Sequence, residues 1–323
     1  MTQNAPTRAA ESIEDAIRML GGNAGQVLEG LAVIDCAAEQ GEASALERKA
    51  LLEAIGCARP QNWERALNCL QEAAERGSRA ARGQMLVLSG TDVGALDEEL
   101  DWAAMRRGLS LQKLIDVPPK IAVSDSPRLR VIDGFASAAE CGWLIERSRK
   151  RLRPATVVNP SGSLTVEAVR TNSMVEHLLP EMDLVVETMR ARISAATRLP
   201  LPLFEPSQIL HYAPGQEFKP HHDYFDPELP GHAAQLEKLG QRIATFLIAL
   251  NDGYTGGETA FPRAQLSFRG KTGDALFIAN VARTGRPDPL TLHAGKPPLS
   301  GEKWMFSQWI RDKAPTTTVP TGP

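Results

Sequence analysis

Three of the six histidines in this chain crowd into the stretch His211-Tyr212-Ala213-Pro214-Gly215-Gln216-Glu217-Phe218-Lys219-Pro220-His221-His222-Asp223. On an extended strand, residues two apart point to the same face, so His221 and Asp223 are expected to approach one centre while His222 turns away. Two imidazoles and one carboxylate on one face of an octahedron leave positions open for a cosubstrate and dioxygen, and that arrangement suits non-haem iron(II). The third ligand must come from elsewhere. His293, in Thr291-Leu292-His293-Ala294-Gly295, is the best candidate, on a strand-like stretch beside a turn.

Beyond His293, Gly295-Lys296-Pro297-Pro298 and Ser300-Gly301-Glu302 turn the chain back, which would carry Lys303 toward the metal. A buried lysine is costly unless paired. The distal carboxylate of 2-oxoglutarate would pair with it while the keto-acid end chelates iron. Trp309 shares strand parity with Lys303 and is expected in the same cavity, whereas Trp304 falls on the other face. A lone His-x-Asp is more often a surface ion pair or a cap. The joint presence of His293, Lys303 and Gly256-Gly257-Glu258-Thr259 favours the metal reading. His177, His211, His222 and His232 are left as structural or surface residues.

The elements that must position these groups change character along the chain. In the first part Val27, Leu28, Leu31 and Ile34 share a helical face, as do Trp63, Ala66, Leu67 and Leu70. Ala37-Ala38-Glu39-Gln40-Gly41 returns as Ala73-Ala74-Glu75-Arg76-Gly77, each copy ending a helix on glycine. A further helical segment with Leu96, Leu100, Trp102, Leu109 and Leu114 leads to Val117-Pro118-Pro119, where prolines end it. The boundary is placed there: a helical region 1–119, a catalytic domain 120–314 and a flexible tail 315–323. Strands are expected at 128–132, 208–212, 221–224, 242–250, 275–278 and 304–310. Helices are expected after the capping-box pair Ser137 and Glu140 and along Met182, Val185, Met189 and Ile193. The fold class is α+β overall: an all-α, repeat-like region followed by a double-stranded β-helix, or jelly roll, with supporting helices.

With 42% hydrophobic and 23% charged residues and a net charge of -3, the composition fits a soluble globular protein and asks for no nucleic-acid partner. The start, MTQNAPTRAAESIEDAIRML, has no continuous apolar core, and no later run is long enough to cross a bilayer, so a cytoplasmic location is expected. Cys36, Cys57, Cys69 and Cys141 lack paired spacing and read as buried, reduced thiols.

The segments 211–225, 241–262 and 291–310 resemble the prolyl 4-hydroxylases. The likeness continues upstream in Pro127-Arg128-Leu129-Arg130-Val131-Ile132-Asp133-Gly134-Phe135, in Ala155-Thr156-Val157-Val158 and in Arg170-Thr171-Asn172-Ser173. It implies iron(II) on His221, Asp223 and His293, and 2-oxoglutarate on Lys303 with Tyr212 and Thr245 as secondary contacts. It implies a substrate groove of Arg170, Asn172, Glu205, Phe218 and Trp309; Asn172 stands where the family more often has serine. The activity implied is of the procollagen-proline 4-dioxygenase type: hydroxylation of prolyl residues in a protein or peptide, with dioxygen consumed, succinate and carbon dioxide as coproducts and ascorbate as a candidate reductant. The region 1–119 resembles Sel1-type repeats, relatives of the tetratricopeptide family, whose stacked helix pairs would hold the target. Two other readings stay open: a hydroxylase of a free amino acid or small metabolite, and a helical-repeat adaptor whose oxygenase domain is not catalytic.

Overall fold

Helix starts in the first part of the chain are set by side chains that accept otherwise free backbone N–H groups. Asn23, Glu42, Asn62, Ser78, Asp101 and Ser110 each cap a helix this way, and Gln26 returns a bond to Asn23 to close a capping box. The computed structural model describes residues 5–91, 94, 99–158 and 164–314. The tail 315–323, expected to be flexible, and Leu96 lie outside the described residues. Helices in chain order are α1 (Ala5–Met19), α2 (Ala24–Glu39), α3 (Ala43–Ile55), α4 (Trp63–Glu75), α5 (Arg79–Leu88), α6 (Trp102–Gly108), α7 (Leu111–Leu114), α8 (Ala138–Arg149), α9 (Leu184–Thr197) and α10 (Pro230–Leu239). None is long and apolar enough to cross a membrane.

The chain divides into two compact units. The first takes in the residues up to Asp116 together with His177–Ala195. In it α2 and α4 each give way to a left-handed glycine, Gly41 (φ 79°) and Gly77 (φ 91°). The ends Glu39 and Glu75 lie 36 residues apart, and so do the starts Ala43 and Arg79, so the pairs α2–α3 and α4–α5 keep one spacing. Val27, Leu31 and Ile34 pack with Ala16, Leu20, Leu52 and Cys57. Leu28, expected on that face, is 51% exposed, because one helical step of about 100° carries it off the 27/31/34 stripe. The segment around 102–114 is two short helices rather than one, with Leu109 extended between them.

Helix α9 sits far along the chain yet belongs to this unit through α9 itself and the turn before it. Arg48 Nη1 donates to Met182 O at 2.9 Å, Leu184 N donates to Gln84 Oε1 at 2.9 Å, and Arg192 Nε donates to Leu114 O at 2.7 Å. Met182, Val185, Met189 and Ile193 are all buried, as their spacing led one to expect. The linear reading counts this helix with the catalytic part, because its bonding partners lie 78 to 134 residues upstream.

The second unit, Val117–Glu176 with the residues from Ala196 onward, carries the sheets. Its strands are β1 (Ile121–Asp125), β2 (Arg128–Ile132), β3 (Arg153–Pro154), β4 (Val157–Val158), β5 (Leu164–Thr165), β6 (Ser173–His177), β7 (Ser207–Tyr212), β8 (Phe218–His221), β9 (Arg242–Ala249), β10 (Thr255–Gly256), β11 (Thr259–Phe261), β12 (Leu266–Phe268), β13 (Ala275–Ala279), β14 (His293–Gly295), β15 (Pro298–Ser300) and β16 (Lys303–Arg311). An eight-stranded sheet runs β1-β2-β13-β9-β16-β7-β6-β3, and a four-stranded sheet runs β12-β11-β14-β8. Leu129, Leu210, Leu247, Ile278 and Met305 of the larger sheet pack with Phe261 of the smaller, flanked by Phe218, Leu266 and Phe268. Ser137 and Glu140 form the expected capping box on α8.

One strand differs from expectation in a way that matters. Strand β8 covers Phe218–His221 rather than 221–224, so Asp223 lies beyond its end. Its partner β14 starts only at His293, and the residues before it form a 3-10 turn at Pro289–Thr291, which leaves 222–224 with nothing to pair against. Two of the four thiols also depart from expectation. Cys57 and Cys141 are buried, but Cys36 is exposed and Cys69 half-buried, and no disulfide joins them.

Candidate metal centre and cosubstrate pocket

Antiparallel pairing of β8 with β14 sets His221 directly opposite His293, which brings together two imidazoles 72 positions apart in sequence. Their ring centres are 4.4 Å apart. His221 Nδ1 lies 2.8 Å from Lys219 O, and His293 Nδ1 lies 3.0 Å from Thr291 O. A carbonyl can only accept, so both Nδ1 atoms carry the proton and both Nε2 lone pairs face inward. Asp223 stands between them, with Oδ1 3.7 Å from His221 Nε2 and Oδ2 3.6 Å from His293 Nε2. The three ligand atoms lie within 4.8 Å of one another, close enough to hold one metal ion.

The electrostatics favour a cation there. Burial, reinforced by His293, pushes the His221 imidazole down to about 3, so it is neutral near pH 7. Burial alone would raise the Asp223 carboxyl, but His293, His221 and the Thr245 hydroxyl outweigh it and hold it at about 2. A carboxylate with two inward Nε2 donors is the set that iron(II) takes while keeping positions open. His222 has no part in it. Its ring stacks on Tyr224 and its Nε2 bonds Pro289 O at 3.2 Å.

A cavity opens beside the three ligands. Along β16 the alternate residues Lys303, Met305, Ser307 and Trp309 line it, which is the parity expected for Lys303 and Trp309. Trp304 takes the opposite face, against His211 and under Arg149. Lys303 is 3% exposed and has no ion-pair partner among the described residues. Burial pulls its ammonium down to about 8, although Glu258 works the other way. Its Nζ sits 5.1 Å from the centre of the Tyr212 ring, whose own hydroxyl burial pushes up to about 12, so that Tyr212 keeps its proton to donate. Close backbone approach shapes this end. A Cβ on Gly295 would press on the Tyr212 hydroxyl, and one on Gly257, at φ 71°, would strike the Tyr254 ring. The pocket can therefore receive an anionic group beside Lys303 and a chelating group beside the three ligands.

The remaining expected residues separate into those that line the cavity and those behind it. Arg170, Phe218 and Trp309 line it, with the Arg170 guanidinium 4.7 Å over the Phe218 ring. Asn172 lies behind: its Oδ1 accepts from Arg170 Nε at 3.2 Å, and Arg170 also donates to Thr156 O at 2.9 Å. Glu205 lies behind as well, its carboxylate taken by Arg242 through two bonds of 2.6 and 2.7 Å and by Arg311 at 2.6 Å. Arg242 in turn stacks 3.7 Å over Trp309. Thr245, expected beside the cosubstrate, donates its hydroxyl to Asp223 Oδ2 at 2.6 Å. Sequence reasoning missed Arg242, Arg311 and Asn280. No motif marks them, and Arg242 comes opposite Arg311 only through a register shift between β9 and β16 after Ile310.

Residues 207–311 match the family model described as the 2OG-Fe(II) oxygenase superfamily. Prolyl 4-hydroxylase 1 of Arabidopsis thaliana is 33% identical over 267 residues, an alignment that covers 77% of this chain and 89% of that protein. Probable prolyl 4-hydroxylase 10 of the same plant is 34% identical over 209 residues, covering 58% of this chain and 70% of the relative. Among solved structures, the viral collagen prolyl hydroxylase of Paramecium Bursaria Chlorella virus-1, in its 2-oxoglutarate complex, is 28% identical with a TM-score of 0.45, covering 58% of this chain and 98% of that one. This chain is a member of the prolyl 4-hydroxylase family, an enzyme that uses iron(II), 2-oxoglutarate and dioxygen.

Proposed function

We propose that the protein hydroxylates prolyl residues within a protein or peptide, with iron(II) on His221, Asp223 and His293 and 2-oxoglutarate anchored by Lys303 and Tyr212. One observation carries this reading: a buried lysine with no ion-pair partner among the described residues shares a single cavity with an inward-facing His-Asp-His triad. When bound, iron with 2-oxoglutarate and dioxygen supplies the oxidation of an unactivated carbon–hydrogen bond, with succinate and carbon dioxide as coproducts. The protein's own part is to hold, orient and enclose. Lys303 fixes the cosubstrate's far end by charge, and Tyr212 donates a hydrogen bond there. Arg170, Phe218 and Trp309 would line the place of the prolyl ring: Phe218 stacks on the ligand His221 with ring centres 3.4 Å apart, and Arg170, held by Asn172 and the Thr156 carbonyl, lies 4.7 Å over the Phe218 ring.

In this reading the second unit is a double-stranded β-helix oxygenase, and the helix pairs of the first unit form a Sel1-like surface that holds the target. Ascorbate would serve as reductant. The 36-residue spacing of the helix pairs supports the repeat reading.

The test is mass spectrometry of a panel of proline-rich peptides and free amino acids, with iron and 2-oxoglutarate each omitted in turn. A gain of one oxygen on peptidyl proline, stoichiometric with succinate, is expected. Oxygen gain on a free amino acid alone would replace the substrate class, and succinate release that no peptide or amino acid stimulates would remove the hydroxylase reading.

A further inference from the structure

Behind the Asp223 carboxylate runs a chain of two hydrogen bonds that reaches a residue outside the cavity. Asn280 Nδ2 lies 2.9 Å from Thr245 Oγ1, and Thr245 Oγ1 lies 2.6 Å from Asp223 Oδ2. All three side chains are buried, Asn280 completely. The direction of this chain follows from what each group can do. An ionised carboxylate only accepts, so Thr245 must spend its single proton on Asp223. The hydroxyl then has only lone pairs left to offer, so Asn280 must present its NH2 and not its carbonyl. That orientation leaves Asn280 Oδ1 without a partner among the described residues, a cost of about 1–3 kcal/mol for a buried acceptor. The reversed amide would make Asn280 compete with Asp223 for the threonine proton.

The backbone holds Asn280 rigidly in this place. Its N–H donates to Ile243 O at 2.9 Å, and its carbonyl accepts from Asp288 N at 3.0 Å. Thr245 is equally fixed, in the middle of β9 with strands paired on both sides. The relay therefore runs from one framework residue through another to a ligand that lies outside any strand.

We propose that Asn280 is a positioning residue for the metal centre: by occupying the Thr245 lone pairs it commits the hydroxyl proton to Asp223 Oδ2, and so fixes the rotation of the carboxylate with Oδ1 toward His221. Asp223 needs such a tether because no strand pairing restrains it, whereas His221 and His293 are held by the β8–β14 ladder. Partners of this kind, one step behind a ligand, change metal affinity by about 10–100-fold.

This inference rests on the proposed iron site, and its test separates the two. Manganese(II) serves as the probe, with free ion read by electron paramagnetic resonance, for wild type, Asp223→Ala, Thr245→Val, Asn280→Leu and the Thr245→Val/Asn280→Leu double variant. Valine and leucine keep most of the native volume, and each variant's melting temperature reports whether it has folded. Asp223→Ala should bind no manganese; wild-type binding by it would overturn the iron site itself. Thr245→Val and Asn280→Leu should each weaken binding about 10–100-fold. The double variant should be no weaker than Thr245→Val, because Asn280 acts only through the hydroxyl. Wild-type affinity in a folded Asn280→Leu, or losses that multiply in the double variant, would overturn the relay while leaving the iron site standing. Should Asn280→Leu fail to fold, Asn280→Ala removes the donor without adding bulk, and it should show the same loss; wild-type affinity in a folded Asn280→Ala would overturn the proposal equally.

Discussion

Affinity for 2-oxoglutarate should fall on the alkaline side of neutrality, because Lys303 must be charged to receive it. In the free protein burial draws the Lys303 ammonium from 10.5 down to about 8. A bound carboxylate favours the charged form and raises that value again, so binding above pH 8 takes up a proton. The direction follows from the sign of this shift. Below about pH 8 the amine is already protonated and affinity is at its full value. Above it each pH unit costs about tenfold, or about 1.4 kcal/mol, until the bound-state value is reached. From about pH 7 to about pH 9 the charged fraction drops from roughly nine-tenths to roughly one-tenth, so the dissociation constant should rise about tenfold. Calorimetric titration of 2-oxoglutarate into the manganese-loaded protein, in buffers of differing ionisation heat, reads both the affinity and the proton uptake. Lys303→Ala should lose affinity steeply with the metal still bound. Lys303→Arg should bind more weakly than wild type at neutral pH, since its planar fork is larger and differently aimed, but its affinity should not change over this pH range. A flat wild-type profile with no proton uptake, or unchanged affinity in Lys303→Ala, would refute the pairing.

The triad itself is tested by His221→Ala, Asp223→Ala and His293→Ala, each expected to abolish metal binding in equilibrium dialysis, while His222→Ala keeps it because that ring bonds Pro289 O instead. Glu205→Ala should lower stability to denaturant by about 3–5 kcal/mol, since it leaves Arg242 and Arg311 facing each other without their shared carboxylate. Burial raises the Glu205 carboxyl but the two arginines prevail and hold it below its ordinary 4.5, so its contribution is full above that pH and is lost as pH falls through the lowered value; the alanine variant should lack this acid-side loss. A shortened chain beginning at Lys120 removes Arg48, Gln84 and Leu114, the hydrogen-bond partners of α9 and of the turn before it, and leaves Arg192 and the Leu184 N–H without them. It should aggregate on expression; a soluble monomer with full manganese affinity would show that α9 stands without the helical unit.

The parts legible in the sequence are those governed by local periodicity. Alternation along 303–310 foretold that Lys303 and Trp309 share a face and that Trp304 does not, and the trace of β16 follows it. The His221, Asp223 and His293 grouping was also readable, although for Asp223 the reason was wrong: it sits past the strand end, brought inward by the turn and the Thr245 hydroxyl rather than by strand parity. What stayed hidden depends on non-local pairing. Asn280 meets Thr245 only because β13 lies beside β9, and Glu205 meets Arg242 and Arg311 only because β9 and β16 are neighbours. Leu28 was misplaced by reading a stripe too broadly, and α9 by assuming that sequence neighbours share a unit.

Pairing of His221 with His293 closes a loop of 72 residues, and Thr245 joins Asp223 across another 22. Contacts this distant form late, after loop-closure entropy has been met by the surrounding sheet. The nascent chain therefore presents no preassembled nest for iron, and metal capture becomes a readout of completed sheet assembly rather than its trigger. Once formed, the ion binds only the finished arrangement and so draws the folding equilibrium toward it: at free metal one hundred times the dissociation constant the gain is about 2.7 kcal/mol. A bound metal ion would then add to the stability of the fold as well as serve the chemistry.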